Sequence, residues 1–151
     1  NRPRGFLLTS RRRMLIEENT FYNPSSGIWV AGDANYWFES GPVHELVIRN
    51  NRFLECGYAD GAPAITIAPE IPAPAAGAPC YHRNITIEGN EFRTRGGRIL
   101  QARSVEGLTV RGNLHERIGV PGLADTREPG GGLGVEPLQL EGCPNAEVQK
   151  F

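Results

Sequence analysis

Lysine is almost missing from this chain: Lys150 is the only one, so nearly all of its 16 basic residues are arginine. Charge of one sign is missing as well. The formal net charge is -1 at pH 7, with 17 acidic residues against the basic ones. That balance gives no electrostatic case for a nucleic-acid partner or an anionic membrane surface. It leaves an acidic polymer open as a substrate, because local charge decides that question. No apolar run approaches the roughly 20 residues of a membrane span. Cysteine is scarce too. Cys56, Cys80 and Cys143 match no zinc spacing, and their odd number argues against a complete disulfide framework. Each reads as a small buried residue, with one bridge involving Cys80 left open. Gly130-Gly131-Gly132 lacks the Lys-Ser/Thr of a phosphate loop and reads as a flexible insertion. No His, Asp or Glu cluster has metal-ligand spacing, and no Ser-His-Asp arrangement is evident. The N-terminus carries neither a secretion signal nor a starting Met, so the chain reads as mature, trimmed or excised.

What the chain does have is glycine, proline and asparagine around short apolar runs, with 19 Gly and 12 Pro in 151 residues. Such a composition favours short strands and many turns. Five segments share one pattern: Met14–Phe21, Leu46–Phe53, Ile85–Phe92, Leu108–His115 and Leu138–Asn145. Each opens apolar, any, apolar. A charged residue and a turn position follow. The sixth position is Asn19, Asn51, Asn90 and Asn113, and Cys143 in the last copy. Phe21, Phe53 and Phe92 close the first three. Alternating apolar residues suit strands that point one face into a narrow core. Asn tolerates the left-handed backbone of a sharp corner. Stacked Asn side chains can also bond along a ladder. The three phenylalanines should form an interior column.

A second strand family follows. Gly27–Asp33 aligns with Ala64–Glu70, with Arg98–Ser104 and, backwards, with Gly5–Arg11. A constant strand core with variable spacers predicts a right-handed, single-stranded parallel β-helix of the pectin-lyase-like kind. It should have about five coils, be part of a longer solenoid, and form one partial domain over residues 1–151. Loops should bulge near 31–43, 68–82 and 119–134. A β-sandwich would show hairpin signals, and a leucine-rich repeat a longer and more regular consensus.

In a parallel solenoid, equivalent positions on neighbouring coils lie about 4.8 Å apart. The alignment puts Arg11, Asp33, Glu70 and Ser104 in one column. Asp33 and Glu70 would then be neighbouring carboxylates, able to split into a proton donor and an ionised partner. Arg11 could keep Asp33 charged or clamp a substrate oxygen. The segment Gly32–Gly41 sends Tyr36, Trp37 and Phe38 out of the coil, beside Asn35 and Glu39. Exposed aromatics stack on the apolar faces of sugars. The plain alternative is a loop folded back to cover the coil. Trp29 should face outward from its strand. His82 could act as a base or ligand, although a loop histidine is more often a simple hydrogen-bonding residue.

These residues resemble glycoside hydrolase family 110. The resemblance is carried by "RGFLLTSRRRMLIEENTFYNPSSGIWVAGDANYWFESGPVHELVIRNNRF", "ITIAPEI", "YHRNITIEGNEFRT" and "RILQARSVEGLTVRGN", over about residues 4–113. "GDANYWFESG" is its most specific part. The resemblance implies the later coils of a bacterial α-1,3-galactosidase of parallel β-helix fold. It implies an inverting enzyme that takes terminal galactose from glycans and needs no metal or organic cofactor. It implies a secreted, periplasmic or surface-anchored location. It points to Asp33, Glu39 and Glu70 as active-site carboxylates, and further acidic residues of the family's earlier coils are absent here. The residues after about 119 depart from the pattern. Two rivals stand beside it. A polysaccharide lyase or polygalacturonase-like enzyme would share the scaffold, but a lyase often needs a Lys or Arg base, and the only lysine is terminal. A non-catalytic carbohydrate-binding solenoid would bind sugar without turnover.

Overall fold

The computed structural model describes residues 4–36, 38, 40–58, 61–72, 77–95, 97–118, 136–149 and 151. The strand β1 (Phe6–Leu8) precedes a first coil of β2 (Met14–Glu17), β3 (Thr20–Phe21) and β4 (Ile28–Val30). The second coil is β5 (Leu46–Arg49), β6 (Arg52–Leu54) and β7 (Ile65–Ile67). The third is β8 (His82–Glu88), β9 (Glu91–Thr94) and β10 (Leu100–Arg103). The fourth is β11 (Val105–Arg111), β12 (Leu114–Arg117) and β13 (Leu138–Glu141), and β14 (Glu147–Val148) opens the next. The strands form three sheets, ordered β1-β4-β7-β10-β13, β2-β5-β8-β11-β14 and β3-β6-β9-β12. Every pairing within them is parallel. This is the expected all-β parallel β-helix. No helix among the described residues is long and apolar enough to cross a membrane.

The core follows from period-two alternation. Leu46 and Ile48, Ile85 and Ile87, and Leu108 and Val110 are buried, while Val47, Thr86 and Thr109 between them are half-exposed. Register partners stack like on like: Leu46 on Ile85, and Ile85 on Leu108. The phenylalanine column forms as expected. Phe21, Phe53 and Phe92 stack face to face with centroids 4.8 Å apart at each step. Trp29 does face outward, with the Arg4 guanidinium 4.7 Å above its ring.

The asparagine ladder also forms. The side-chain oxygens of Asn51, Asn90 and Asn113 each accept from both the backbone N–H and the Nδ2 of the ladder residue one coil earlier, at 2.9–3.1 Å. A primary amide offers donor and acceptor together, so it can repeat at the strand spacing as a peptide group does. The bonded residues lie 32, 39 and 23 positions apart in sequence. The ladder therefore holds phase although coil length varies.

Three expectations need correction. The left-handed corner residue is the one before each ladder Asn: Glu18, Asn50, Gly89 and Gly112, with φ of 53–62°. Asn51, Asn90 and Asn113 keep ordinary backbone, which frees their side chains for the ladder. The fifth motif, Leu138–Asn145, belongs to the other sheet. Its strand pairs with β10, and β14 continues the sheet of β11. Cys143 stands where an Asn was sought because that segment does not turn the Asn corner. Finally, β10 sits one residue off the alignment: Leu100 pairs with Ile65, and Ala102 with Ile67. Ile99 and Leu100 are both buried, so alternation breaks at the strand's entry and misleads the register. Ser104 consequently leaves the Glu70 column and turns the chain at φ 57°.

Residues 31–43 and 68–82 link strands of successive coils, and residues 119–134 lie outside the described residues. Cys56, Cys80 and Cys143 are free thiols, Cys56 buried and the others half-buried.

Candidate functional site

The parallel ladder runs past the ends of β4 and β7. The N–H of Ala68 donates to Val30 O (3.1 Å), that of Glu70 to Gly32 O (2.7 Å), and that of Ala34 to Glu70 O (3.0 Å). Asp33 and Glu70 are thereby parallel bridge partners on adjacent coils. Partners in register point to one side of a ladder, so the structure places these carboxylates next to each other. Asp33 is half-buried and Glu70 exposed.

Asp33 also starts the loop beyond it. Its Oδ1 accepts from the backbone N–H of Asn35 (2.9 Å) and of Tyr36 (2.8 Å), an Asx-type turn. An antiparallel bridge from Asp33 to Ser40 brings the loop back. Between these anchors Asn35 is exposed, and Tyr36 and Phe38 are 68% and 70% exposed. Phe38 has φ 55°, unusual for a bulky side chain and of the kind that clusters at functional sites. Trp37 and Glu39 lie outside the described residues.

Tyr81 completes the corner and was not singled out from the sequence. Its ring lies so close over Gly32 that a Cβ there would fall 2.2 Å from Cε1, and its hydroxyl donates to Ser40 O (3.3 Å). Burial raises the Tyr81 pKa, with Arg11 lowering it and Asp33 raising it, so the ring lies within the field of both. The available signal was Gly32 itself: glycine permits the close approach of a ring to backbone. Arg11 is exposed and leans on Gly41, where a Cβ would lie 2.8 Å from its Nε. It therefore stands at the same corner as Asp33.

His82 sits differently. It is fully buried, its Nδ1 accepts from Val43 N–H (3.0 Å), and it meets the Tyr81 ring edge-on at 5.0 Å. Burial first, and then His44, lower its pKa to about 4, so the ring is neutral near pH 7. Its place is behind Tyr81, where it supports that ring and does not meet solvent. Among the described residues, no three His, Cys, Asp or Glu side chains gather as a metal site.

Comparison with known proteins bears on the chain as a whole. No protein-family profile matches the chain. Alpha-1,3-galactosidase A of Bacteroides thetaiotaomicron is 50% identical over 114 residues, which cover 74% of this chain and 19% of that protein. Alpha-1,3-galactosidase B of the same organism is 46% identical over 116 residues, covering 74% and 19%. Alpha-1,3-galactosidase B of Akkermansia muciniphila is 36% identical over 153 residues, covering 99% and 18%. The chain therefore spans about a fifth of the length of the curated relatives it matches. Class and fold agree: this is a β-helix segment related to carbohydrate-active enzymes. More narrowly, the chain belongs with the alpha-1,3-galactosidases, consistent with the resemblance to glycoside hydrolase family 110.

Proposed function

We propose that this chain carries active-site coils of an exo-acting α-galactosidase that releases terminal α-1,3-linked galactose from glycans with inversion. The observation that carries the reading is the Asp33–Glu70 bridge at an exposed corner, in a chain up to 50% identical to alpha-1,3-galactosidases. In that reaction one carboxylic acid gives its proton to the departing glycosidic oxygen. A carboxylate on the other face takes a proton from water as the water oxygen bonds to the anomeric carbon. The C–O bond to the leaving sugar breaks, β-galactose is the first product, and the two carboxyl groups exchange their protonation roles.

Inversion calls for carboxyls about 6.5–9.5 Å apart, whereas adjacent strands offer about 4.8 Å between backbones. Asp33 is held by two N–H donors, so the added separation has to come from the longer, exposed Glu70 or from Glu39 on the loop. Arg11, Asn35, Tyr36 and Trp37 are the proposed sugar contacts, with His82 acting from behind Tyr81. We further propose a bacterial protein working outside the cytoplasm, where galactose-terminated glycans are met.

The test uses the intact protein and α-galactosyl-1,3-galactose, with proton NMR following the anomer released. Initial β-galactose is expected. Asp33→Asn, Glu70→Gln and Glu39→Gln are each assayed, and loss of at least about 100-fold in kcat is expected for the two that carry acid and base. Near-parental rates in all three would remove the assignment.

A further inference from the structure

A groove of about 620 Å³ runs along the strand entries of the sheet β2-β5-β8-β11-β14. Arg11 forms one end of it, and Asn145 belongs to its lining. Its floor has a simple origin. Asn84, Gly107 and Asn145 all adopt left-handed backbone, with φ of 54°, 67° and 57°. The first two stand in register between the pairs Arg83–Glu106 and Ile85–Leu108. Asn145 stands two residues before Glu147, as Gly107 stands before its partner Thr109. Three coils thus turn at the same level. Gly107 leaves room for the Asn84 side-chain oxygen, which a Cβ would approach to 3.2 Å.

The walls carry two arginines, Arg11 and Arg83, and two glutamates, Glu45 and Glu106. Arg11 and Arg83 make no ion pair among the described residues. Glu45 is engaged by Arg13 at 3.1 Å, which leaves Glu106 as the lining carboxylate without an ion pair. The Arg83 guanidinium donates to His44 Nδ1 at 3.2 Å, an arrangement that keeps His44 a neutral acceptor. Partial burial, Arg83 and Arg11 all act against a charge on that ring. Arg83 is therefore steadied by a neutral group; it is exposed at the groove and makes no direct ion pair, with Glu106 as its neighbour in register on the next strand. Arg11 joins this groove to the Asp33 corner, since its field reaches both Tyr81 and His44.

We infer that the groove is the leaving-group subsite and takes a sugar bearing an anionic substituent, a sulfate or a carboxylate, next to the terminal galactose. This rests on the α-galactosidase reading. A galactose held at the Asp33–Glu70 corner leaves the rest of the glycan to pass Arg11 and lie over Arg83. Guanidinium groups match the planar or tetrahedral oxygens of such substituents.

The experiment compares intact parent, Arg83→Gln and Arg83→Lys on three substrates. These are α-galactosyl-1,3-galactose, the same disaccharide with a 2-sulfate on the reducing galactose, and α-galactosyl-1,3-glucuronic acid. The expected result is a KM for one or both charged substrates about tenfold below that of the neutral one. That advantage disappears in Arg83→Gln, returns in part in Arg83→Lys and fades in 0.5 M salt. The neutral substrate stays within about twofold throughout. The sulfate and carboxylate arms tell the two sources apart. Equal effects of Arg83→Gln on all substrates, or none on any, overturn the inference. If the parent cleaves none of the three, the galactosidase reading fails, and the groove is judged by direct titration with galactose 2-sulfate, glucuronate and galactose. Binding of a charged sugar that depends on Arg83 upholds an anion-binding groove, and its absence overturns that as well.

Discussion

Replacing Asn90 with alanine isolates what the asparagine ladder contributes. Asn90 is 1% exposed, and its side chain makes four hydrogen bonds. Its Oδ1 accepts from the N–H and the Nδ2 of Asn51 at 2.9 and 3.0 Å. Its Nδ2 donates to Ile48 O and to Asn113 Oδ1, both at 2.9 Å. The substitution leaves the buried Asn51 N–H and Ile48 carbonyl without these partners, while Asn113 Oδ1 keeps the Asn90 backbone N–H. A buried group stranded this way costs about 1–3 kcal/mol. Two such groups, with partial relaxation, give a loss of about 3–5 kcal/mol. The internal control is Asn19→Ala. Asn19 is half-buried and its side chain only donates, to Glu17 O and Asn51 Oδ1. Its loss should cost about 1 kcal/mol. Urea unfolding followed by far-ultraviolet circular dichroism reads both. With a slope of roughly 2 kcal/mol per molar urea, Asn90→Ala should lower the midpoint by about 1.5–2.5 M. Hydrogen exchange should show the Asn51 amide opening first. If the two variants are destabilised alike, or Asn90→Ala loses under about 1 kcal/mol, the ladder is not a stabilising element and the reasoning fails.

Three other outcomes are expected. Gly32→Ala places a methyl against the Tyr81 ring, so on the galactosidase reading hydrolysis by the intact protein should fall about tenfold or more while the urea midpoint changes little; unchanged rates would detach Tyr81 from the site. His82 is held neutral with its pKa lowered to about 4 from 6.5, so its contribution is complete above pH 6.5 and is lost as pH falls towards 4. Parental stability should drop by up to about 3 kcal/mol across that window, and His82→Gln should flatten the drop. Burial raises the Cys56 thiol to about 11, so in the native protein at pH 8 it should resist a disulfide reagent and react only on unfolding; prompt native labelling of Cys56 would contradict its placement.

The coil stack was legible because its signals repeat. Apolar alternation, Asn19-Asn51-Asn90-Asn113 and Phe21-Phe53-Phe92 each recur at the same offset inside a motif whatever the spacer length. The Asp33–Glu70 adjacency followed from one gapless strand alignment. Where a signal was short and shared, the reading slipped. Leu138-Gln-Leu-Glu has the same apolar spacing as Leu46-Val-Ile-Arg, yet the first lies in one sheet and the second in another. Only the missing Asn separated them. Ile99 and Leu100 are both buried, so period two could not settle the register of β10. Tyr81 and the depth of His82 were hidden because they depend on how a long connection returns to the stack. That is a matter of tertiary packing and leaves little local pattern.

The same ladder sets the geometry available to chemistry. Between Asp33 and Glu70 the backbone spacing is fixed by the Glu70 N–H to Gly32 and Ala34 N–H to Glu70 bonds, and neither can lengthen without breaking the sheet edge. Asp33 is then tied to its own loop through Oδ1. Two of the three variables in a carboxylate pair, backbone separation and one rotamer, are thus spent on structure. The remaining one is the Glu70 side chain, which is exposed and one methylene longer. On the galactosidase reading with Glu70 as the second carboxyl, a rigid stack with one adjustable arm would make room for a water or a sugar by swinging that arm outward. Such a motion carries Glu70 away from Asp33, the direction an inverting pair requires.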